Sequence, residues 1–255
     1  MVEARSASAP VLATHGLSRH FGGLVAVHDV SISLRQGELH AVIGPNGAGK
    51  TTLVNMLSGE IKPTAGRVEL DGREVAGEPA WRMTRLGVGR SFQRTNIFLS
   101  FSVLENVRLA AQAMGVPAAR LFRTAAREPG LIERAECALG RVGLTDVSAS
   151  IAGTLSHGEQ RQLEIAMALA SDPKVLLLDE PLAGMGPEES QRMTGLLKEL
   201  AREHAVLLIE HDMDVVFAVA DWMTVMAEGA VLAEGRPEAI RANTAVQDAY
   251  LGGHA

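Results

Sequence analysis

"ELHAVIGPNGAGKTT", residues 38–52, is the stretch that decides the fold. "ELHAVI" reads as a strand, "GPNGAGKTT" fits the pattern G-x-x-x-x-G-K-[ST], and a helix is expected over 50–58. Gly44, Gly47 and Gly49 let successive backbone N–H groups curl around phosphate oxygens with no Cβ in the way. Pro45, Asn46 and Ala48 complete the loop. Lys50 then reaches the β and γ phosphates of a nucleoside triphosphate, Thr51 offers its hydroxyl to Mg²⁺, and Thr52 follows in the first turn. The positive end of the helix points at the same oxygens. Such a loop implies nucleotide binding and no particular reaction, because kinases, GTPases and motor ATPases share it.

A second element narrows the chemistry. "VLLLDE" (175–180) is an apolar run that ends in two acids. Asp179 suits Mg²⁺, and Glu180 can take a proton from an attacking water as a general base. Beside a phosphate loop this pair points to hydrolysis rather than transfer to a second substrate.

The third element, "TLSHGEQRQLEIAMALA" (154–170), reads as a capped helix, with Ser156 at the cap and Glu159 three residues on. Leu163, Ala166, Met167 and Ala170 recur at i, i+3, i+4, i+7 and bury one face. Gly158 nevertheless sits in the first turn, where glycine weakens a helix by up to about 1 kcal/mol relative to alanine. A backbone left bare at a positive helix end calls for a reason.

The remaining sequence fits an α/β protein. "KVLLLDE" and "AVLLIEH" (205–211) are nearly continuous apolar runs, as expected of parallel strands covered on both faces. Further helices are expected over 157–170, 187–202 and 212–220, the second carrying an apolar stripe of Met193, Leu196, Leu197 and Leu200. The first 35 residues and "GRVELDGREVAG" (66–77) read as an antiparallel layer, and 101–150 as mostly helical. Arg120, Arg123, Arg127 and Arg134 lie among Glu128, Glu133 and Glu136, which reads as a solvated helical face.

Composition limits the function classes. With 255 residues, 47% hydrophobic and 21% charged, the chain is an ordinary globular mixture. Its net charge of −6 disfavours nucleic acid as a partner. One cysteine, Cys137, excludes an internal disulfide and fits a reducing compartment. "MVEARSASAP" lacks a signal peptide's apolar core, and no apolar run reaches the roughly 18 residues that span a bilayer.

"GPNGAGKTT", "SFQRT", "LSHGEQ", "VLLLDE" and "IEHD" stand in the order and spacing of ATP-binding-cassette (ABC) ATPase domains, which the chain resembles over roughly 10–252. The resemblance implies one P-loop ATPase domain over 10–252 after a tail of 1–9. It has a parallel-sheet core, an antiparallel β layer and an inserted α-helical subdomain at about 94–170. ATP and Mg²⁺ are the implied cofactors. In this family the helix starting at Ser156, His157, Gly158 and Glu159 faces the γ phosphate held by a partner subunit, in a head-to-tail dimer. Gln93 matches the glutamine that senses Mg²⁺ and the attacking water and couples to the transport partner. His211 matches the switch histidine at the γ phosphate, and Phe21 the ring that stacks on adenine. The chain departs from the family pattern at His157, where glycine is usual, and at Gly186, where an aspartate commonly crosses the dimer interface. An outward histidine leaves the amides available. Gly186 bears on communication between the two sites and not on ATP binding.

"FGGLVAVHDVS" (21–31), "LIEHDM" (208–213) with "PLAGMG" (181–186), the terminal "AYLG" (249–252) and the helical segment near 112–135 resemble the ATPase subunits of branched-chain and other hydrophobic amino acid importers. Relatives in that group handle urea or short amides. The implied partners are transmembrane permease subunits, a second ABC ATPase (identical or not) and, indirectly, a periplasmic or extracellular substrate-binding protein. The implied location is peripheral, at the cytoplasmic face of the inner membrane. Two alternatives remain: the ATPase of a lipid or lipopolysaccharide exporter, and a soluble ABC ATPase acting on nucleic acid or the ribosome.

Overall fold

The computed structural model describes residues 8–91, 96–114 and 129–251. In chain order these form β1 (Leu12–Phe21), β2 (Leu24–Val30), β3 (Ser33–Leu34), β4 (Leu39–Ile43), α1 (Lys50–Leu57), β5 (Ala65–Leu70), β6 (Arg73–Glu74), α2 (Ala80–Leu86) and β7 (Val88–Arg90). After them come α3 (Val103–Ala113), α4 (Pro129–Val142), α5 (His157–Leu169), β8 (Val175–Asp179), α6 (Pro187–Glu203) and β9 (Ala205–Ile209). The chain continues through α7 (Met213–Val219), β10 (Trp222–Ala227), β11 (Ala230–Gly235), α8 (Pro237–Arg241) and α9 (Thr244–Leu251).

The larger sheet has the order β11-β10-β4-β9-β8-β7, parallel throughout except for the β10–β11 edge pair. Every residue of β4, β8 and β9 is buried, which explains the apolar runs at 175–178 and 205–209; His40, polar and buried inside β4, meets the Ser33 oxygen at 3.1 Å and Thr224 Oγ1 at 2.8 Å. Successive side chains alternate between two cores. Leu176, Leu178, Val206 and Leu208 pack with α3–α6 on one face. Val175, Leu177, Leu207 and Ile209 pack on the other with Leu53, Val54 and Leu57 of α1 and with the smaller sheet. Each such leucine contributes about 1.5–3 kcal/mol relative to exposure.

The smaller sheet, β2-β1-β5-β6 with β3 also on β1, is antiparallel, as the turn-rich segments predict. The helices α3, α4 and α5 pack on one another through Val103, Val107, Ala111, Ala135, Leu139 and Leu163. Ser102 caps α3 by accepting from Glu105 N–H at 3.1 Å. Glu133, Arg134 and Glu136 lie on the exposed face of α4 as expected; Arg120, Arg123, Arg127 and Glu128 lie outside the described residues.

One polar contact ties α4 to the strand layer. Arg141 donates to Glu203 Oε2 at 2.6 Å and lies 3.1 Å from His204 Nε2, while His204 Nδ1 meets the Pro173 carbonyl at 2.7 Å. Burial holds the His204 pKa below its usual value. A neutral ring that donates from Nδ1 and accepts at Nε2 satisfies both neighbours.

Candidate functional site

Loops at the C-terminal ends of the parallel strands carry the candidate residues, where open α/β sheets bind ligands. The 44–49 loop leaves β4 through backbone only glycine allows. Gly44 has φ +152°, and a Cβ there would lie 2.1 Å from the Met226 carbonyl oxygen. Gly49 has φ +95° and would meet the Ala26 oxygen at 2.4 Å. Gly49 is the N-cap of α1 and supplies no side-chain cap, so amide donors stay available at the helix start. Lys50 Nζ folds over the loop and donates to the Gly44 oxygen at 2.6 Å and the Pro45 oxygen at 3.0 Å. Burial pulls its pKa down, opposed by the charges of Glu180 and Asp179.

Phe21, Leu24, Val25, Ala26, Asn46, Gly47, Ala48, Gly49, Lys50, Thr51, Thr52 and Glu180 line one cleft. The structure thus brings Phe21 to the phosphate loop, half-exposed, with the Arg19 guanidinium 4.5 Å above its ring. Leu24 and Val25, which the sequence does not single out, add apolar surface beside it.

Asp179 ends β8 and is 1% exposed. Burial pushes its carboxyl pKa up, and the Arg90 guanidinium 3.9 Å away pulls it down. Neither carboxylate oxygen accepts a hydrogen bond among the described residues. An orphaned buried carboxylate is costly unless a cation meets it. Among the described residues there is no group of three or more His, Cys, Asp or Glu that could hold a metal ion. The Asp179 carboxylate and the Thr51 hydroxyl, with phosphate oxygens and water, make an all-oxygen donor set that fits Mg²⁺. Arg90 also donates to Ser58 Oγ at 2.7 Å and Asn55 Oδ1 at 2.6 Å, linking β7 to the far end of α1. This link escapes sequence reading, because its partners are more than 30 residues away.

Glu180 has φ +50°, a left-handed backbone on a non-glycine residue. That conformation costs about 1–3 kcal/mol and persists only where its surroundings enforce it. Glu180 N–H donates to the Ile209 oxygen at 2.9 Å, and the Glu180 oxygen accepts from Ala183 N–H at 3.2 Å. Asp179 pairs in register with Ile209, so Glu180 and the exposed His211 leave neighbouring strand ends. Between them Glu210, 1% exposed, accepts from Leu182 N–H at 2.9 Å and His211 N–H at 3.1 Å. Burial raises its pKa, and those two N–H bonds lower it. Gln93 lies outside the described residues.

The start of α5 sits apart from the cleft lined by the phosphate loop. Ser156 and Glu159 form the expected capping box: Glu159 N–H donates to Ser156 Oγ at 3.2 Å, and Ser156 N–H to Glu159 Oε2 at 2.8 Å. Gly158 has a neighbour that the sequence does not reveal. A Cβ there would lie 2.7 Å from Glu189 Oε1, and Ser156 Oγ donates to that oxygen at 3.2 Å. Glu189 also accepts from Gly186 N–H at 3.3 Å, at the N-cap of α6. Ser156 must release Glu189 before it donates to any other anion.

His157, the first residue of α5, is exposed. His157→Gly is expected to change the ATP turnover number by less than about twofold, as for exposed substitutions generally. Steady-state hydrolysis checks this, and a severe loss would give the histidine a role of its own.

Comparisons with known proteins agree with this geometry. A family model described as "ABC transporter" matches residues 27–183, and one described as "Branched-chain amino acid ATP-binding cassette transporter" matches 230–255. The chain is 42% identical to the high-affinity branched-chain amino acid transport ATP-binding protein LivG of Salmonella typhimurium, covering 96% of this chain and 99% of that one. It is 43% identical to the corresponding protein BraF of Pseudomonas aeruginosa, with the same coverage. The ADP conformation of MJ1267, an ATP-binding cassette of an ABC transporter, superposes with a TM-score of 0.87 at 30% identity, covering 96% of this chain and all of that one. A nucleotide-free cassette gives 0.86 at 29% identity, covering 95% and 99%.

Proposed function

This chain belongs to the ABC transporter family as an ATP-hydrolysing subunit, and from that premise we propose that it powers import of branched-chain amino acids. One observation carries the chemistry: Lys50 and Glu180 share a cleft, with Asp179 beneath it and His211 on the adjoining strand end.

The residues divide the work as follows. Amides of 44–52 and the Lys50 ammonium hold the β and γ phosphates. Asp179 and Thr51 would hold Mg²⁺, which would supply charge neutralisation at the phosphates; the Asp179 oxygens, which accept no hydrogen bond among the described residues, support this. Glu180 takes a proton from the attacking water, and His211 orients the γ phosphate. Gln93 completes this set by resemblance, and Phe21 stacks on the adenine.

Ser156, His157, Gly158 and Glu159 complete a partner subunit's site rather than this chain's own. Their separation from the cleft supports that reading. Residues 10–252 act as one ATPase domain whose helical part, about 94–170, moves when the sites close. The mutual packing of α3, α4 and α5 supports this division.

A permease partner finds an apolar surface on the same helical part. Phe98, Leu99, Phe101 and Ile151 are exposed together, with the Phe98 and Phe101 rings stacked at 5.3 Å. Ala152 and Gly153 N–H bonds to the Phe101 and Leu99 oxygens hold the two segments side by side. An exposed apolar patch of this kind marks an interaction site. Among the described residues no helix is long and apolar enough to cross a membrane. A peripheral position at the cytoplasmic face, with cargo choice left to permease and binding protein, follows from this reading.

Uptake of labelled leucine, isoleucine and valine in cells lacking this chain tests the cargo. Loss of that uptake, restored by the wild-type chain and not by a hydrolysis-deficient one, is expected. Unchanged amino acid uptake would overturn the cargo assignment.

A further inference from the structure

We propose that Glu210 is a positioning residue for ATP hydrolysis: its buried carboxylate joins the two strand-end loops that carry Glu180 and His211. The inference rests on the roles assigned to those two residues above.

Glu210 directly follows the apolar strand β9 and precedes His211. Its two oxygens serve different segments. Oε1 accepts from Leu182 N–H, two residues beyond Glu180, and Oε2 accepts from the N–H of His211 itself. Both donors are backbone groups, so no side-chain change at 182 or 211 can remove the demand they make. The two oxygens of a carboxyl group offer one acceptor to each. A glutamine would satisfy one N–H and turn its own NH₂ toward the other.

The backbone shows what this bridge is for. Glu180 is held at φ +50°, and a left-handed non-glycine residue needs its flanks fixed. The Glu180 N–H bond to Ile209 fixes the near side. The Leu182 bond to Glu210 fixes the far side. The same carboxylate then sets where the next strand's histidine begins. An aliphatic side chain at 210 would leave the Leu182 amide buried without an acceptor. An acid here therefore serves the geometry of the two catalytic loops.

The test uses the assembled transporter carrying Glu210→Gln, Glu210→Asp or, as control, Glu180→Gln. Turnover, KM for ATP, ATP affinity and thermal midpoint are measured for each. Loss of one hydrogen bond to a charged acceptor predicts a fall in kcat of about tenfold or more for Glu210→Gln, with KM and ATP affinity within about twofold. Glu210→Asp keeps both acceptor oxygens on a shorter stem and is expected to recover part of the lost turnover. Wild-type kcat for Glu210→Gln beside an inactive Glu180→Gln would overturn the proposal. Equal losses of turnover, ATP binding and folded protein, with no recovery by aspartate, would also overturn it, as a general structural defect. Normal hydrolysis by Glu180→Gln would remove the assignment beneath it, and the proposal with it.

Discussion

Glu180→Gln is expected to lower ATP turnover by about 10²- to 10⁴-fold, the usual contribution of a general base, while ATP binding stays within about twofold. The substitution keeps the size of the side chain and removes the carboxylate proposed to take the water's proton. The backbone around it is held by bonds from Ile209, Ala183 and Leu182 that do not involve its carboxylate. The loop should therefore keep its shape, and loss should appear in kcat alone. Single-turnover hydrolysis alongside ATP titration separates the two. Normal turnover would assign the base elsewhere.

Lys50→Ala is expected to act on binding instead. Among the described residues its ammonium is the one cation of the side chains lining the phosphate cleft. A charge-assisted hydrogen bond contributes about 1.5–3 kcal/mol, so ATP affinity should fall by about tenfold to a hundredfold. Part of the loss comes from the loop, because Lys50 also bonds the Gly44 and Pro45 carbonyls. Titration with a fluorescent ATP analogue checks this, and unchanged affinity would contradict the phosphate-loop assignment. The two variants should differ in kind: one binds without turning over, and the other fails to bind.

The sequence makes some of this legible and hides the rest for physical reasons. "GPNGAGKTT" is readable because the loop is local: the glycines, lysine and threonine that form it are consecutive. "VLLLDE" and "AVLLIEH" are readable because strands buried on both faces carry apolar residues along nearly their whole length. Their exact ends are not, since the strands stop at Asp179 and Ile209 while Glu180 and Glu210 follow directly, and Asp179 and Glu210 are themselves buried. The capping box at Ser156 and Glu159 is likewise local and appears as expected.

Contacts between distant segments leave no local trace. Gly158 looks bare in sequence, and the carboxylate that fills the space beside it belongs to Glu189, on another helix. Glu210 looks like an interruption of an apolar run, yet its use depends on which loop folds beside it. Arg90 looks unremarkable until β7 lies against α1. Family resemblance supplies what neither local pattern nor these residues state, including the roles of Gln93 and His211.

The ATPase subunit of a membrane transporter must sit in a complex with its permease. Affinity purification of Glu180→Gln from the membranes of its own cell, with ATP and Mg²⁺ present, tests it most directly, because a chain that binds ATP without turning over should hold its partners. Recovery of a polytopic permease and a second ABC ATPase is the expected result. Recovery of ribosomal or nucleic-acid partners with no membrane protein would contradict it.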